Sequence, residues 1–527
     1  MTDKEWREAS DMRPSATGLA WVLGVAALLR FWSLGFGIPF AIGVDEPEIM
    51  VRVVTMLKTG SFNPHFFDYP GLTFYMQVPV AIARFLLGAI GGRFQSLDQA
   101  DPADFYLWAR ALTALFGVAT VFLTYQIGMR WGARHALLGA GLLAVLPMHV
   151  RESHFVLADV PATFFATLTF LLSLVAHEKG HAKAFMWAGV AAGLTIATKY
   201  NAGLVLLLPL IAAWMTLPAQ PSRLICVLAA LGGAIGAFLI GAPYTILDLP
   251  AFLNGFAHLT AAYRPRNPAA ESGASIYFKH LQNTLGWPAT LLLMTGLVLG
   301  VVRALRGPGR VRWTLLVVFP VLYFYTISGR GLIFGRYLLP LLPFVCMLAA
   351  IAVISGVSLL RRFDIPRTPR RVLITALTVA ALLPPAWNAV SFDRSISQQS
   401  TQEVAYRWIL QNIPPKSRVV VEKYDLRLPD SLYRLDYINE LTLRTFDDYK
   451  QSGTQYVIAS SQAYGGVLQT PQIAPDRYAR YRAIFDQSQE LFVAKQEPGR
   501  PGPELRVYRL PQPQPQTPQQ PQPGARP

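Results

Sequence analysis

Long apolar runs recur through the first 390 residues, and short polar segments separate them. A helix that crosses a membrane needs about 20 mainly apolar residues, so this pattern predicts a polytopic α-helical membrane protein with about eleven spans. The predicted spans are 17–34, 106–128, 136–150, 161–176, 184–198, 200–217, 224–241, 288–304, 313–327, 337–357 and 372–390. No small-residue cleavage site follows the first run closely, so we expect it to be retained and not removed as a signal peptide.

One further apolar stretch, 72–91, is long enough to cross but contains Pro79 and Arg84. Loops that face the cytoplasm carry an excess of Lys and Arg. If 72–91 lies along the external interface and the N-terminus is cytoplasmic, the inside segments carry 17 basic and 6 acidic residues, and the external segments before residue 391 carry 11 of each. A crossing would move the arginine-rich loops 303–312 and 358–371 outside. We therefore expect an external interfacial helix at 72–91.

The pattern changes after residue 390, where mixed charge replaces the long apolar runs. Residues 401–412 have helical spacing, and short β-like runs follow. These runs are 418–422, 455–460 and 505–510. Residues 391–510 are therefore predicted to form a small α/β domain, which an odd number of spans places outside the cytoplasm. The Pro- and Gln-rich segment 511–527 is too polar to fold and is predicted to be a disordered tail.

Composition agrees with a membrane protein: 52% of the 527 residues are hydrophobic, and the formal net charge is +16. Such a charge would ordinarily suggest nucleic acid, but most of the excess lies in the inside loops and is an orientation signal. We expect an integral protein of the bacterial inner (plasma) membrane with a cytoplasmic N-terminus and no nucleic-acid partner. Both cysteines, Cys226 and Cys346, lie in apolar runs, so no cysteine-based metal site is indicated.

The first external loop places Asp45, Glu46, Glu48 and Asp68 directly after a span. These acids have two interpretations of about equal weight. They are solvated caps of an interfacial helix, or they face a cavity in which a carboxylate removes a proton from an acceptor hydroxyl or amine. Paired acids also suit a divalent cation, although no His-containing ligand spacing accompanies them.

A second acid, Asp159, begins the apolar run that follows RESHFVLADVPATFF. Beside Pro161 it could be an ordinary helix cap, or it could converge with the first loop on one cavity. Lys199, between two apolar segments, and Arg336, at the start of a span, are interfacial anchors in one interpretation and phosphate-binding cations in the other. Arg264 lies in an external loop long enough to cover such a site.

At these residues the sequence resembles the GT-C superfamily of membrane glycosyltransferases. It is most similar to the family 39-type group, which includes protein O-mannosyltransferases and lipid A aminoarabinose transferases. The resemblance spans about residues 15–510. It rests on the acidic pair Asp45-Glu46, the turn Asp68-Tyr69-Pro70-Gly71, the approach LPMHVRESHFVLAD to Asp159, the junction Thr198-Lys199-Tyr200, and Arg336-Tyr337-Leu338-Leu339-Pro340.

The resemblance implies transfer of a hexose or pentose from a polyprenyl-phosphate carrier to a lipid, glycan or protein acceptor outside the cytoplasm, with inversion at the anomeric carbon. By position, Asp45 matches the general base, and Asp68 and Asp159 match further acids of the cavity. Glu46 is grouped with these acids. Lys199 matches a cation near the donor phosphate, and Arg264 and Arg336 are looser matches for the same role.

One alternative is a transporter or flippase of lipid-linked sugars, and another is a non-enzymatic membrane scaffold that displays the C-terminal domain. A transporter is expected to place essential charges along a path through the membrane, including its middle. The candidate charges here concentrate at one face, which favours a fixed external site.

Overall fold

The computed structural model describes residues 16–39, 45–216, 222–266, 271–362, 366–423, 426–497 and 500–511. The chain divides into two compact units between Asp393 and Arg394, and a short segment after Leu34 is grouped with the second unit. The predicted tail falls almost entirely outside the described residues, as does most of the N-terminal segment before the first span.

The helices of the first unit have the following bounds. They are α1 Ala16–Phe31, α2 Glu46–Thr59, α3 Leu72–Tyr75, α4 Gln77–Ile90, α5 Tyr106–Gly128, α6 Ala133–Ala144, α7 Pro147–Glu152, α8 Asp159–Lys179, α9 Ala182–Thr198, α10 Leu207–Met215, α11 Arg223–Gly241, α12 Tyr244–Leu247, α13 Leu249–Ala262, α14 Gly273–Arg306, α15 Arg310–Ser328, α16 Leu342–Arg362 and α17 Arg367–Ile396. Two 3₁₀ segments, Tyr200–Leu206 and Gly335–Leu341, lead directly into α10 and α16.

Within the described residues, eight helical stretches are long and apolar enough to cross a membrane. Seven of them contain predicted spans. Three more predicted spans fall on shorter apolar helices, which are α1, α9 and the segment Tyr200–Met215. The eighth long stretch is Leu72–Ile90, so length and composition allow this segment to cross, and its interfacial placement remains a prediction.

The predicted span 136–150 is not one helix. α6 ends at Ala144, and the separate helix α7 begins at Pro147, because the residue before a proline is pushed out of the helical region. Twelve residues rise only about 18 Å, less than the hydrocarbon core. The buried guanidinium of Arg30 donates to the carbonyls of Leu143 (3.0 Å) and Ala144 (2.9 Å), and so satisfies the end of α6 that the break exposes.

Glycines allow the backbones of α9 and α11 to pack in direct contact. A Cβ added at Gly189 would lie 1.9 Å from the carbonyl oxygen of Ala230, and one at Gly233 would lie 2.3 Å from that of Met186. Small residues at such crossings are a common means of packing helices in membranes. The crossing fixes α9, which ends at Thr198, immediately before Lys199.

The second unit confirms the predicted α/β domain. It contains α18 Thr401–Asn412, β1 Arg418–Glu422, β2 Arg434–Ile438, α19 Phe446–Gln451, β3 Tyr456–Ser460, α20 Ser461–Gln469, α21 Pro475–Gln487, β4 Gln489–Ala494 and β5 Leu505–Arg509. The sheet order is β2-β1-β3-β5-β4, with β1 parallel to β2 and β3 and with β5 antiparallel to β3 and β4. Apolar side chains cover both faces of this sheet.

Candidate functional site

Four of the predicted site residues line one cavity in the membrane unit, where several helices begin or end. The cavity has a volume of about 650 Å³. Its predicted members are Asp45, Asp68, Lys199 and Arg336. Its other lining residues include Tyr69, Tyr200, Asn201, Phe256, Tyr263, Thr326, Arg330, Phe334 and Tyr337. The cavity therefore joins carboxylates and cations to a wall that includes six aromatic side chains.

Asp45 occupies the cap position of α2 but does not cap it. Its side chain makes no hydrogen bond to the first turn. It accepts a hydrogen bond of 2.7 Å from Nη2 of Arg336, and both side chains are about a quarter exposed. Of the two interpretations of the first loop, the geometry supports a carboxylate that faces a cavity.

Asp159 is the first residue of α8 and not the residue that caps it. Its side chain is buried and forms an ion pair with Nζ of Lys199. The second carboxylate oxygen lies 3.8 Å from Nε of Arg336, and Nζ of Lys199 lies 4.7 Å from the ring centre of Tyr337. Asp159 is not itself among the residues that line the cavity, but it contacts Lys199 and Arg336, which are.

Glu46, another of the predicted cavity acids, does not line the cavity. Its side chain is fully buried and accepts hydrogen bonds of 2.8 and 2.7 Å from Arg110. The backbone N–H of Val156 donates a further bond of 2.9 Å. A buried carboxylate needs such a complete set of partners. Glu46 therefore has a structural role in the core and is not a residue of the cavity.

Asp68 lines the cavity from the loop between α2 and α3. Partial burial raises the pKa of its carboxyl group, which Arg52 opposes and Glu48 reinforces. Glu152, at the end of α7, is buried, and this burial raises its pKa to about 7. Glu152 also interacts electrostatically with Asp159, Arg336 and Lys199, so it belongs to the same group of charges.

Arg264 does not line the cavity. Its side chain is exposed, and its carbonyl accepts a hydrogen bond of 2.8 Å from the N–H of Gly331. This backbone contact brings Arg330, which sequence reasoning did not select, to the cavity wall. The only indication of this role in the sequence is that Arg330 lies close to Arg336. An exposed arginine beside a span does not by itself indicate a binding site.

A pair of tyrosines was also missed. The hydroxyl groups of Tyr263 and Tyr337 lie 2.5 Å apart, and their rings stack at 6.0 Å. Tyr263 follows helix α13, and Tyr337 lies in the 3₁₀ segment that carries Arg336. Tyr337 belongs to the motif that begins at Arg336, but its partner Tyr263 lies 74 residues away in sequence.

Among the described residues, no three His, Cys, Asp or Glu side chains come close enough to hold a metal ion. Asp45 and Asp159 both form ion pairs with Arg336. Carboxylates that are already paired with cations do not fit the divalent cation considered from the sequence.

Comparison with known proteins agrees with this architecture. The family model for dolichyl-phosphate-mannose-protein mannosyltransferase matches residues 83–259, which is 177 of 527 residues. No curated protein sequence matches significantly. The chain resembles the oligosaccharyltransferase of Archaeoglobus fulgidus in its apo form, with a TM-score of 0.54 and 13% identity over 84% of this chain and 69% of that one.

Two further structures are similar over more of the chain. One is the A. fulgidus oligosaccharyltransferase AglB in complex with an inhibitory peptide and a dolichol-phosphate (TM-score 0.52, 12% identity, 92% of this chain and 74% of that one). The other is ArnT from Cupriavidus metallidurans bound to undecaprenyl phosphate (TM-score 0.51, 15% identity, 94% and 98%). The chain is an integral membrane protein with the fold of the GT-C membrane glycosyltransferases, which confirms the predicted resemblance.

Proposed function

We propose that the protein transfers a sugar from a polyprenyl-phosphate carrier to an acceptor on the extracytoplasmic face of the membrane, with inversion at the anomeric carbon. The ion pair between Asp45 and Arg336 inside one cavity is the observation that carries the proposal. It sets a base for the acceptor next to a cation for the leaving phosphate. Similarity to ArnT, which was solved with undecaprenyl phosphate, supports a lipid-linked donor.

Asp45 is the general base of this reaction. Its carboxylate takes the proton of an acceptor hydroxyl or amine while that oxygen or nitrogen attacks the anomeric carbon. The bond between the anomeric carbon and the phosphate oxygen breaks on the opposite side, and its electrons remain on the carrier phosphate. Attack opposite the leaving group inverts the anomeric centre.

Lys199 and Arg336 stabilise the carrier phosphate as it gains negative charge. Fixed cations in a cavity with limited water stabilise such charge strongly. Asp159 holds both cations towards the same point. Exposed aromatic side chains of the wall, such as Phe256 and Phe334, offer an apolar surface for the isoprenoid chain.

Arg336 links the binding of the donor phosphate to the release of Asp45, the general base. Asp45 accepts a 2.7 Å hydrogen bond from Arg336 in the structure. A phosphate is a strong competing acceptor for a guanidinium. When the donor phosphate engages Arg336, Asp45 is released to accept the proton of the second substrate.

The arginine pattern supports an external site. α15 begins in the arginine-rich segment 303–312 and ends at Ser328, a few residues before Arg330 and Arg336. If α15 crosses the membrane, the cavity lies on the side opposite this basic loop. Basic loops face the cytoplasm, so the cavity then faces outward.

The test is transfer by the purified chain with an undecaprenyl-phosphate-linked sugar and membrane lipids as acceptors. Asp45→Asn removes the base but keeps the size of the side chain. Loss of a general base lowers the rate by roughly 10²–10⁴-fold, and we expect donor affinity to change much less. Asp98→Asn removes an exposed carboxylate outside the cavity lining and should leave the rate unchanged. Undiminished transfer by Asp45→Asn would exclude the mechanism.

A further inference from the structure

The cavity contains a cation that the proposed reaction does not use. Arg336 is engaged by Asp45 and Asp159, and Lys199 is engaged by Asp159. Arg330 lines the same cavity. Among the described residues, the polar contact of its guanidinium is one long hydrogen bond of 3.4 Å from Nη1 to the carbonyl of Tyr263, and no carboxylate lies within ion-pair distance.

The remaining acid of the cavity does not balance this charge. Asp68 interacts electrostatically with Arg52 and His258. It also lines the cavity, but among the described residues it forms no ion pair with Arg330. Arg330 is therefore the excess cation of the cavity wall. A guanidinium has five N–H donors in a planar fork that matches the oxygens of a phosphate, and most of these donors are available.

The backbone around Arg330 is held in place. The N–H of Arg266 donates to the carbonyl of Gly329 (3.0 Å), and the N–H of Gly331 donates to the carbonyl of Arg264 (2.8 Å). We call residues 264–266 and 329–331 the clasp. The clasp fixes the point from which the Arg330 side chain reaches the cavity, so a ligand would not have to order this backbone itself.

We propose that Arg330 binds a second phosphate group in this cavity, separate from the carrier phosphate at Lys199 and Arg336. The inference rests on the proposed function for the identity of the first phosphate. The second phosphate belongs either to a diphosphate-linked carrier or to a phosphorylated second lipid. Both sources present the same oxygens to the guanidinium.

The experiment uses the full chain, purified in detergent free of phospholipid, and measures dissociation constants for two sets of ligands. The first set is undecaprenyl monophosphate and undecaprenyl diphosphate. In the second, phosphatidic acid is titrated onto protein already saturated with the monophosphate. Arg330→Gln removes charge-assisted hydrogen bonds to the second phosphate. We therefore expect it to weaken the binding of either undecaprenyl diphosphate or phosphatidic acid by roughly tenfold or more.

Three variants make the result specific. Arg330→Gln should keep the affinity for undecaprenyl monophosphate, which also reports that the variant is folded. Arg330→Lys keeps the charge and should lose less than the Gln variant. Arg266→Gln removes a positive charge from the other strand of the clasp, where its guanidinium contacts the carbonyl of Glu271, and should bind all ligands like the unmodified chain.

The two phosphate sources give different outcomes. Loss of the preference for diphosphate over monophosphate assigns the second phosphate to the carrier. Loss of phosphatidic acid binding to the saturated protein assigns it to a second lipid. Unchanged binding in both arms overturns the proposal, as does an equal loss in Arg266→Gln. Transfer by Asp45→Asn would refute the proposed function but leave these binding results standing.

Discussion

Arg110 holds both carboxylate oxygens of Glu46, at 2.8 and 2.7 Å, and neither side chain is exposed. The same guanidinium donates to the carbonyl of Leu34, and Glu46 also accepts from the N–H of Val156. The pair thus joins the end of the first span, the start of α2 and the segment before α8. Asp45 adjoins Glu46, and Asp159 follows Val156 by three residues, so one buried ion pair sets the positions of both acids.

Removal of one member of this pair should unfold the membrane unit more easily. Arg110→Met leaves a buried, uncompensated carboxylate, which costs about 3–5 kcal/mol. Thermal unfolding in detergent should show a clear loss, and the double variant Arg110→Met/Glu46→Leu should recover much of it. Lys279→Gln breaks an exposed ion pair with Glu271 and should cost less than about 1 kcal/mol. Equal stability of Arg110→Met and Lys279→Gln would contradict this role.

The pair of Lys199 and Asp159 should affect donor binding and stability in separable ways. Lys199→Gln removes a phosphate-binding cation and leaves the buried Asp159 with Arg336 alone, so both donor affinity and stability should fall. Lys199→Met/Asp159→Leu replaces the pair with apolar groups, which often restores stability. We expect this double variant to regain thermal stability but not affinity for undecaprenyl phosphate. Recovery of that affinity would show that Lys199 has only a structural role.

The crossing of α9 and α11 should be intolerant of a single methyl group. In Gly189→Ala the new Cβ would lie 1.9 Å from the carbonyl oxygen of Ala230, which forces the helices apart. Overpacking of this kind typically costs about 1–3 kcal/mol. Gly236→Ala, on the same pair of helices, meets nothing within 4 Å and serves as the control. Thermal unfolding of both variants tests the prediction, and matching midpoints would refute it.

The C-terminal unit should lose stability as the pH rises towards neutral. Glu422 lies buried at the end of β1, where it accepts hydrogen bonds from the Tyr481 hydroxyl and from two backbone N–H groups. Burial raises its pKa to about 7, so the folded state holds this proton more tightly than the unfolded chain. The stabilising effect is complete below about pH 4.5 and is lost as the pH passes through about 7.

Pulse proteolysis in urea between pH 5 and pH 8 measures this loss on the full chain. We expect a decline of up to about 3 kcal/mol from this group and a flatter profile for Glu422→Gln. Asp447→Asn changes an exposed carboxylate and should follow the unmodified profile. If the Gln variant declines as steeply as the unmodified chain, another group is responsible.

Strand prediction succeeded in the middle of the sheet and failed at its edges. β1, β3 and β5 are central strands, covered on both sides, and their apolar runs are visible in the sequence. β2 and β4 are edge strands with several exposed or half-buried positions. An edge strand buries less surface, so its sequence is less constrained towards apolar residues.

The sequence by itself determined where the chain enters apolar surroundings and which charged residues lie at the helix ends. Run length is a local property, because a span must satisfy its backbone within one segment. The helix Thr401–Asn412 has its predicted bounds for a similar reason, since Ser400 caps it locally and Pro414 follows its end.

Only the tertiary structure decided which of these charges meet. Asp45 and Glu46 are neighbours in sequence, yet one reaches Arg336 in the cavity and the other reaches Arg110 in the core. Successive residues at a helix start point about 100° apart, and their partners lie 291 and 64 residues away. A local pattern carries no record of such distant partners, because their approach depends on how all the intervening helices pack.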